Sequence, residues 1–202
     1  MDHAVVPLGH PRAERADAAR NRLHLLNTAR EMIAEVGAGS VTMDGLAERA
    51  GLGKGTVFRR FRTRAGIFHA LLDEDEHAFQ DQVLGGPPPL GPGADPAERL
   101  IAYGRARIAF LLDHHAIARA ALDRAQPVPA GEAGFSPAHI RMLLRQAGPG
   151  SRDSDSLAVQ LTAALEGPIL LYLAVPERAD ATHYFERLAD SWQVLVQGVC
   201  RA

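Results

Sequence analysis

Leu46-Ala47-Glu48-Arg49-Ala50-Gly51-Leu52-Gly53-Lys54-Gly55-Thr56-Val57-Phe58-Arg59-Arg60-Phe61 reads as two short helices joined by a tight turn. Leu46, Ala47 and Ala50 recur at i, i+1 and i+4 and make one apolar stripe. Gly51 follows that stripe, where a helix can end on a left-handed residue at little cost. Leu52 plugs the turn, and Gly53 and Gly55 bracket the start of the next helix. Val57, Phe58 and Phe61 give that helix its own apolar face, and Ala47 is small enough for the two helices to cross closely. This is a helix-turn-helix pattern, whose second helix can enter the major groove of a duplex.

The charge around the pair has one sign. From Arg49 to Arg64 there are six basic residues and no acidic one. A solvated helix face usually mixes signs, so the imbalance asks for an anionic partner, and duplex DNA is the natural one. Lys54 is the only lysine among 22 basic residues. Its ammonium can contact a guanine edge or a phosphate, a reading that its arginine neighbours favour over a plain solvated turn. Arg59 and Arg60 point about 100° apart on a helix, so they take different jobs, one at bases and one at backbone. Phe61 reads as core. For Phe58, core is weighed against a DNA-facing position and is the first expectation. The pattern leaves Arg62 open.

Working outward, the first helix is expected from about Asp17 to Val36, with Leu25, Leu26, Ala29, Met32, Ile33 and Val36 as its stripe. Residues 1–16 contain Pro7, Gly9 and Pro11 and read as a mobile tail. Thr42 is placed to cap the helix that begins at Met43, and Thr63 to start a fourth helix that ends near Gly85. Residues 85–94 are too rich in Gly and Pro for a helix. Asp95-Pro96 then restarts one, as cap and first position. A break is expected at His114-His115, a loop over 126–137, and a restart at Ser136-Pro137. The last two helices, about 154–174 and 179–200, are the most apolar, with Pro168 expected to kink the first.

The chain of 202 residues is 47% hydrophobic and only 5% aromatic, which suits helices packed on helices. Residues 1–72 carry 11 basic and 7 acidic side chains, and residues 73–202 carry 11 and 17. A basic first part and an acidic second part fit a nucleic-acid module joined to a different one. The division expected is a tail over 1–16, a DNA-binding domain over 17–72 and a second helical domain over 73–202. One cysteine, Cys200, excludes an intrachain disulfide framework and a Cys-based zinc site. No apolar run of about 18 residues exists, so no membrane span is expected, and with no signal-peptide shape the cytoplasm is the default location.

With those residues in hand, the chain resembles the TetR family of transcriptional regulators. The resemblance covers about residues 23–72 and rests on Leu26, Ala29, Met32, Ile33, Gly37, Thr42, Leu46, Ala47, Ala50, Gly51 and Leu52. Its most specific part is Gly55-Thr56-Val57-Phe58-Arg59-Arg60-Phe61, followed by Arg64 and Ile67. It implies an all-α fold: an N-terminal three-helix DNA-binding domain with a helix-turn-helix, then a helical ligand-binding and dimerisation domain. It also implies roles by position. Thr42 and Thr56 would bond phosphates, Lys54, Val57 and Arg59 would face base edges, and Arg60 and Arg64 would grip the backbone beside Gly55 and Phe58. Phe58 stands where the family often has Tyr, and Gly53 where it often has Ser, so two hydroxyls are missing. Arginine is then expected to carry more of the backbone grip, with a steep loss of affinity with salt.

In the second domain, the final two helices would pair into a homodimer interface through Leu161, Leu165, Leu188, Trp192, Leu195 and Val199. A twofold dimer would read a palindrome-like operator. Tyr103, Arg107, Phe110, His114, Met142 and Tyr172 are the candidates to line a pocket for a small-molecule inducer. Adjacent histidines diverge on a helix, so His114-His115 is not expected to hold a metal, and no cofactor is expected. Catalysis has no motif: no nucleophile elbow, no Walker loop and no paired carboxylates. Gly53-Lys54-Gly55-Thr56 resembles the end of a phosphate loop, but Arg49 stands where that loop needs Gly. The reading is a ligand-responsive repressor. Its rivals are a low-specificity architectural DNA-binding protein and, more distantly, a helical enzyme.

Overall fold

The computed structural model describes residues 11–121, 134–148, 153–173 and 181–201, with side chains over 17–121, 134–148, 153–168 and 183–200. Every regular element among them is helical: α1 (Pro11–Val36), a 3-10 turn (Ala38–Ser40), α2 (Met43–Arg49), α3 (Lys54–Phe61), α4 (Arg64–Gly85), α5 (Pro96–Asp113), α6 (His115–Ala121), α7 (Phe135–Ala147), α8 (Ser154–Leu173) and α9 (Ala181–Arg201). The chain divides between Leu71 and Leu72 into two compact units, and α4 runs through the division. No helix among the described residues is long and apolar enough to cross a membrane.

The first unit is built as its sequence pattern predicts, with one correction. α1 begins at Pro11, so residues 11–16 are helical where a mobile tail was expected. Proline is tolerated in a first helical turn, and the Ala-Glu-Arg-Ala that follows is rich in helix formers. Residues 1–10 lie outside the described residues. The Thr42 hydroxyl accepts the Gly45 N–H at 3.0 Å, and the Thr63 hydroxyl accepts the Gly66 N–H at 3.0 Å. Gly51 turns the chain between α2 and α3 at φ 64°. Leu25, Leu26, Leu46, Val57, Phe61, Ile67, Phe68 and Leu71 are buried and form the core. Each such side chain contributes about 1.5–3 kcal/mol before chain entropy is counted.

In the second unit α5 is the central helix and packs against α7, α8 and α9. Asp95 caps it by accepting the Ala97 N–H at 2.9 Å, with Pro96 at the first position. The core around it includes Phe79, Leu100, Tyr103, Ile140, Leu143, Leu165, Phe185 and Trp192. Gly104 lets α9 come close, because a Cβ there would lie 1.9 Å from the Trp192 indole nitrogen. That nitrogen donates to the Leu100 carbonyl at 3.0 Å.

One expectation about helix ends differs. α7 starts at Phe135 behind Gly134, which makes no side-chain cap bond, so Ser136 lies inside the helix. Its hydroxyl is buried and is drawn inward by Tyr103 and Glu166, which leaves nothing to cap the backbone. At α8 the cap is Asp153, whose carboxylate accepts the N–H groups of Asp155 at 3.0 Å and Ser156 at 3.2 Å. Pro168 lies inside α8.

Gly104→Ala is expected to lower the unfolding midpoint by the about 1–3 kcal/mol typical of an overpacked core. Thermal melting followed by Trp192 fluorescence measures it, and an unchanged midpoint would show that the indole is not seated against α5.

Candidate functional site

α3 presents two faces. Val57 and Phe61 are buried and seat it in the core, with α2 its main neighbour, while Lys54, Gly55, Phe58, Arg59 and Arg60 are exposed. Burial of Val57 corrects the base-edge role implied for it: the side chain faces the core and has no route to a duplex. Phe58 is corrected in the other direction. It is 62% exposed rather than core, because the helix turns only Val57 and Phe61 inward. Gly53 offers α3 no side-chain cap.

The basic residues fall into distinct groups. Arg64 is half-buried and is spent inside the unit. Its Nε donates to the Val41 carbonyl at 2.7 Å, and one terminal nitrogen donates to the carbonyls of Ala38 at 2.6 Å and Gly39 at 3.2 Å. Its guanidinium also lies 4.8 Å from the Phe68 ring centre. Arg64 is therefore a brace for the reading helices, not the phosphate contact expected. Arg49 is bonded in two places to the Glu35 carboxylate of α1, a bond that holds the Glu35 carboxyl below its usual range. Lys54 pairs with Asp44 at 3.0 Å, but both are well exposed, so the pair is weak and easily exchanged.

Arg59 folds back on the Gly55 carbonyl at 3.2 Å, and Arg60 donates to the Ala18 carbonyl of α1 at 2.8 Å. Thr56, Arg59 and Arg60 share one open groove of about 340 Å³ with Ala18, Asn21 and Leu25. Arg62 ends α3 at φ 62°, a conformation that costs a non-glycine residue about 1–2 kcal/mol, and its side chain is exposed. Thr42 is exposed at the start of α2.

The expected pocket residues of the second unit are only partly brought together. Tyr103, Arg107, Phe110 and His114 follow one face of α5. The Tyr103 hydroxyl donates to Ser136 Oγ at 2.7 Å, and that hydroxyl donates to Glu166 at 2.6 Å. Burial pushes the Tyr103 phenol up to about 12, so it remains a donor. Arg107 binds Glu166 at 3.2 Å and also Glu76 of α4, and lies over the rings of Phe79 and Phe110. His114 stacks on Phe110 and meets Asp75 at 3.1 Å. Met142 packs at the edge of the core, and the Tyr172 side chain lies outside the described residues. Among the described residues no three His, Cys, Asp or Glu side chains form a metal-binding group.

Three of the expected interface residues are core instead. Leu161, Leu165 and Trp192 are buried by the subunit's own helices, because α5 closes on them at Gly104. Val159 of α8 and Tyr184, Val194 and Leu195 of α9 are exposed, with Leu188 and Val199 of α9 half-buried. A pocket of about 70 Å³ opens there, lined by Ile108, Leu165, Leu188, Trp192 and Leu195 among others, with room for about two waters.

Residues 25–71 match the family model described as bacterial regulatory proteins, tetR family. Residues 25–71 are thus a TetR-type N-terminal domain. Solved structures share the fold over nearly the whole length. A TetR-family transcriptional regulator from Pectobacterium atrosepticum is 20% identical, with 92% of this chain and 96% of that one covered and a TM-score of 0.67. NalD, the secondary repressor of the MexAB-OprM multidrug efflux pump in Pseudomonas aeruginosa, is 17% identical, with 87% and 96% covered and a TM-score of 0.53. SmeT in complex with triclosan is 16% identical, with 87% and 91% covered and a TM-score of 0.54. No curated protein matches the chain.

In the second unit, sequence reasoning missed Ser136, His139 and Glu166 as polar groups of the packed helices, and Arg99 with them. Their only signal was a polar residue on an otherwise apolar helix face. His139 is 4% exposed, and burial together with the Arg99 charge pushes its imidazole down from the ordinary 6.5 to about 4.

Arg64→Ala is expected to lower the melting temperature markedly, since each hydrogen bond to a charged donor is worth about 1.5–3 kcal/mol. Lys54→Ala should leave it within about 0.5 kcal/mol of the parent. Equal melting of the two variants would remove the bracing role. The unfolded chain protonates His139 before the folded one does, so stability should be full above pH 6.5 and decline toward pH 4. His139→Gln should flatten that part of the profile in urea unfolding measured across pH.

Proposed function

We propose that this TetR-family regulator is a ligand-responsive, cytoplasmic repressor that binds a palindrome-like operator as a homodimer. The observation that carries the reading is α3. One face is locked into the core by Val57 and Phe61, and the other displays Lys54, Phe58, Arg59 and Arg60 to solvent. Lys54 and Arg59 read base edges, Lys54 exchanging its exposed partner Asp44 for a guanine acceptor. Arg60 and Thr56, in the groove against α1, take phosphates. Thr42 does the same, since a hydroxyl that accepts the Gly45 N–H still has its own proton to donate. Phe58 supplies an apolar contact where a tyrosine hydroxyl would otherwise bond. A phosphate also suits the uncapped start of α3 beside Gly53.

The exposed apolar face of α8 and α9 is the surface proposed to meet a second copy. An isologous contact there places two reading helices on one twofold axis. The effector acts in the second unit by favouring one arrangement of the dimer. The fold shared with NalD, a repressor, and with SmeT, solved with triclosan, supports this reading.

Selection of genomic fragments by the purified protein tests it. A few strong sites are expected, bound by a dimer in light scattering. Lys54→Ala should weaken those sites more than random DNA by about 1–3 kcal/mol. Even affinity across fragments would instead indicate architectural coating, and a monomer that binds its operator tightly would defeat the dimer.

A further inference from the structure

We propose that Arg99 of α5 and His139 of α7 form a carboxylate-binding site, and that the effector is an organic monocarboxylate with an apolar body. The proposal rests on reading the second unit as the effector domain. Arg99 is 8% exposed and His139 is 4% exposed. Arg99 Nε and His139 Nε2 are the buried side-chain polar atoms that find no hydrogen-bond partner among the described residues. An unsatisfied buried donor costs about 1–3 kcal/mol, and more when the group is charged.

The contrast with Arg107 is informative. That guanidinium sits on the same helix two turns later, equally enclosed, and it has Glu76 and Glu166 as counter-ions. Among the described residues no carboxylate pairs with Arg99. The second unit thus contains one arginine with two carboxylate partners and one, Arg99, whose buried Nε has no acceptor among the described residues.

The missing group is defined by its surroundings. Arg99 lies one turn before Tyr103 on α5, and the Tyr103 ring is 4.8 Å from the His139 ring. His139 in turn stacks on Phe135 at 5.3 Å with the planes 11° apart. A carboxylate can accept from Arg99 Nε and, in the Nε2–H tautomer, from His139 at once. Leu100, Ile140 and Leu143 are fully buried in the same core, so the rest of the ligand is apolar. A cation is repelled by Arg99, and a dicarboxylate would bury a second charge without a partner.

The pair is nearly enclosed, so an anion reaches it only when the contact between α5 and α7 gives way. Tyr103 joins that contact to Ser136, Glu166, Arg107 and, through Glu76, to α4. Occupancy of the site therefore acts on the part of α4 around Glu76, within the second unit.

The test uses the purified full chain with hexanoate, octanoate, benzoate and phenylacetate, each beside its primary amide, in thermal melting and titration calorimetry. At least one carboxylate should raise the melting temperature while its amide does not. Arg99→Met should weaken that carboxylate by about 30-fold or more. It should also melt higher than the parent without ligand, because it removes an uncompensated buried charge. A structural arginine would give the opposite sign. The proposal is overturned if no carboxylate acts, if amides act equally, if Arg99→Met keeps the response, or if the free variant melts lower. Fragment selection on the same samples separates the two readings: selective DNA binding with no carboxylate response overturns this site alone, and loss of DNA selectivity overturns the repressor reading.

Discussion

Arg64 holds the reading head together. The chain between α1 and α2 turns through residues 37–41, where the 3-10 turn gives backbone N–H partners to the Gly37 and Ala38 carbonyls only. A single guanidinium collects three carbonyls of this stretch, at Ala38, Gly39 and Val41, from the first residue of α4. Its planar fork suits this task in a way that a lysine ammonium does not. The start of α2, and through it the crossing of α2 and α3, is thereby tied to α4. The same bonds remove Arg64 from the duplex. The proposed grip on phosphates is accordingly assigned to Arg60 and to the hydroxyls of Thr42 and Thr56.

The second unit is organised by a comparable close approach. Gly104 leaves room for the Trp192 indole, and the indole returns its N–H to the Leu100 carbonyl. That contact draws α9 onto α5 and buries Trp192, while Leu161 and Leu165 of α8 are buried in the same core. What remains outward on α8 and α9 is a smaller apolar strip, with Val159, Tyr184 and Leu195 at its exposed points. A dimer built there uses residues that the subunit's own core has no use for.

Beside this apolar packing runs a polar chain from Tyr103 through Ser136 and Glu166 to Arg107 and Glu76. Each member has its hydrogen-bond partner, which is how a buried polar network specifies a single arrangement without a large net cost. It links α4, α5, α7 and α8. Beside Tyr103, Arg99 Nε and His139 Nε2 find no hydrogen-bond partner among the described residues.

By itself the sequence determined where the helices lie, the turn at Gly51, the caps at Thr42, Thr63 and Asp95, and the family of the reading head. These depend on local periodicity, on glycine's freedom and on short-range hydroxyl or carboxylate bonds, all of which a linear pattern carries. The start of α1 and the role of Ser136 were misread, because Pro11 reads equally as tail or as first turn, and Ser-Pro equally as cap or as interior. Only the tertiary structure decided which basic residues are free for DNA. Glu35, Asp44 and the carbonyls that occupy Arg49, Lys54 and Arg64 are brought there by the fold, from 10 to 26 residues away. Only tertiary packing could bury Val57, expose Phe58 and leave Arg99 Nε without a partner among the described residues, since each outcome depends on what another helix places across the contact.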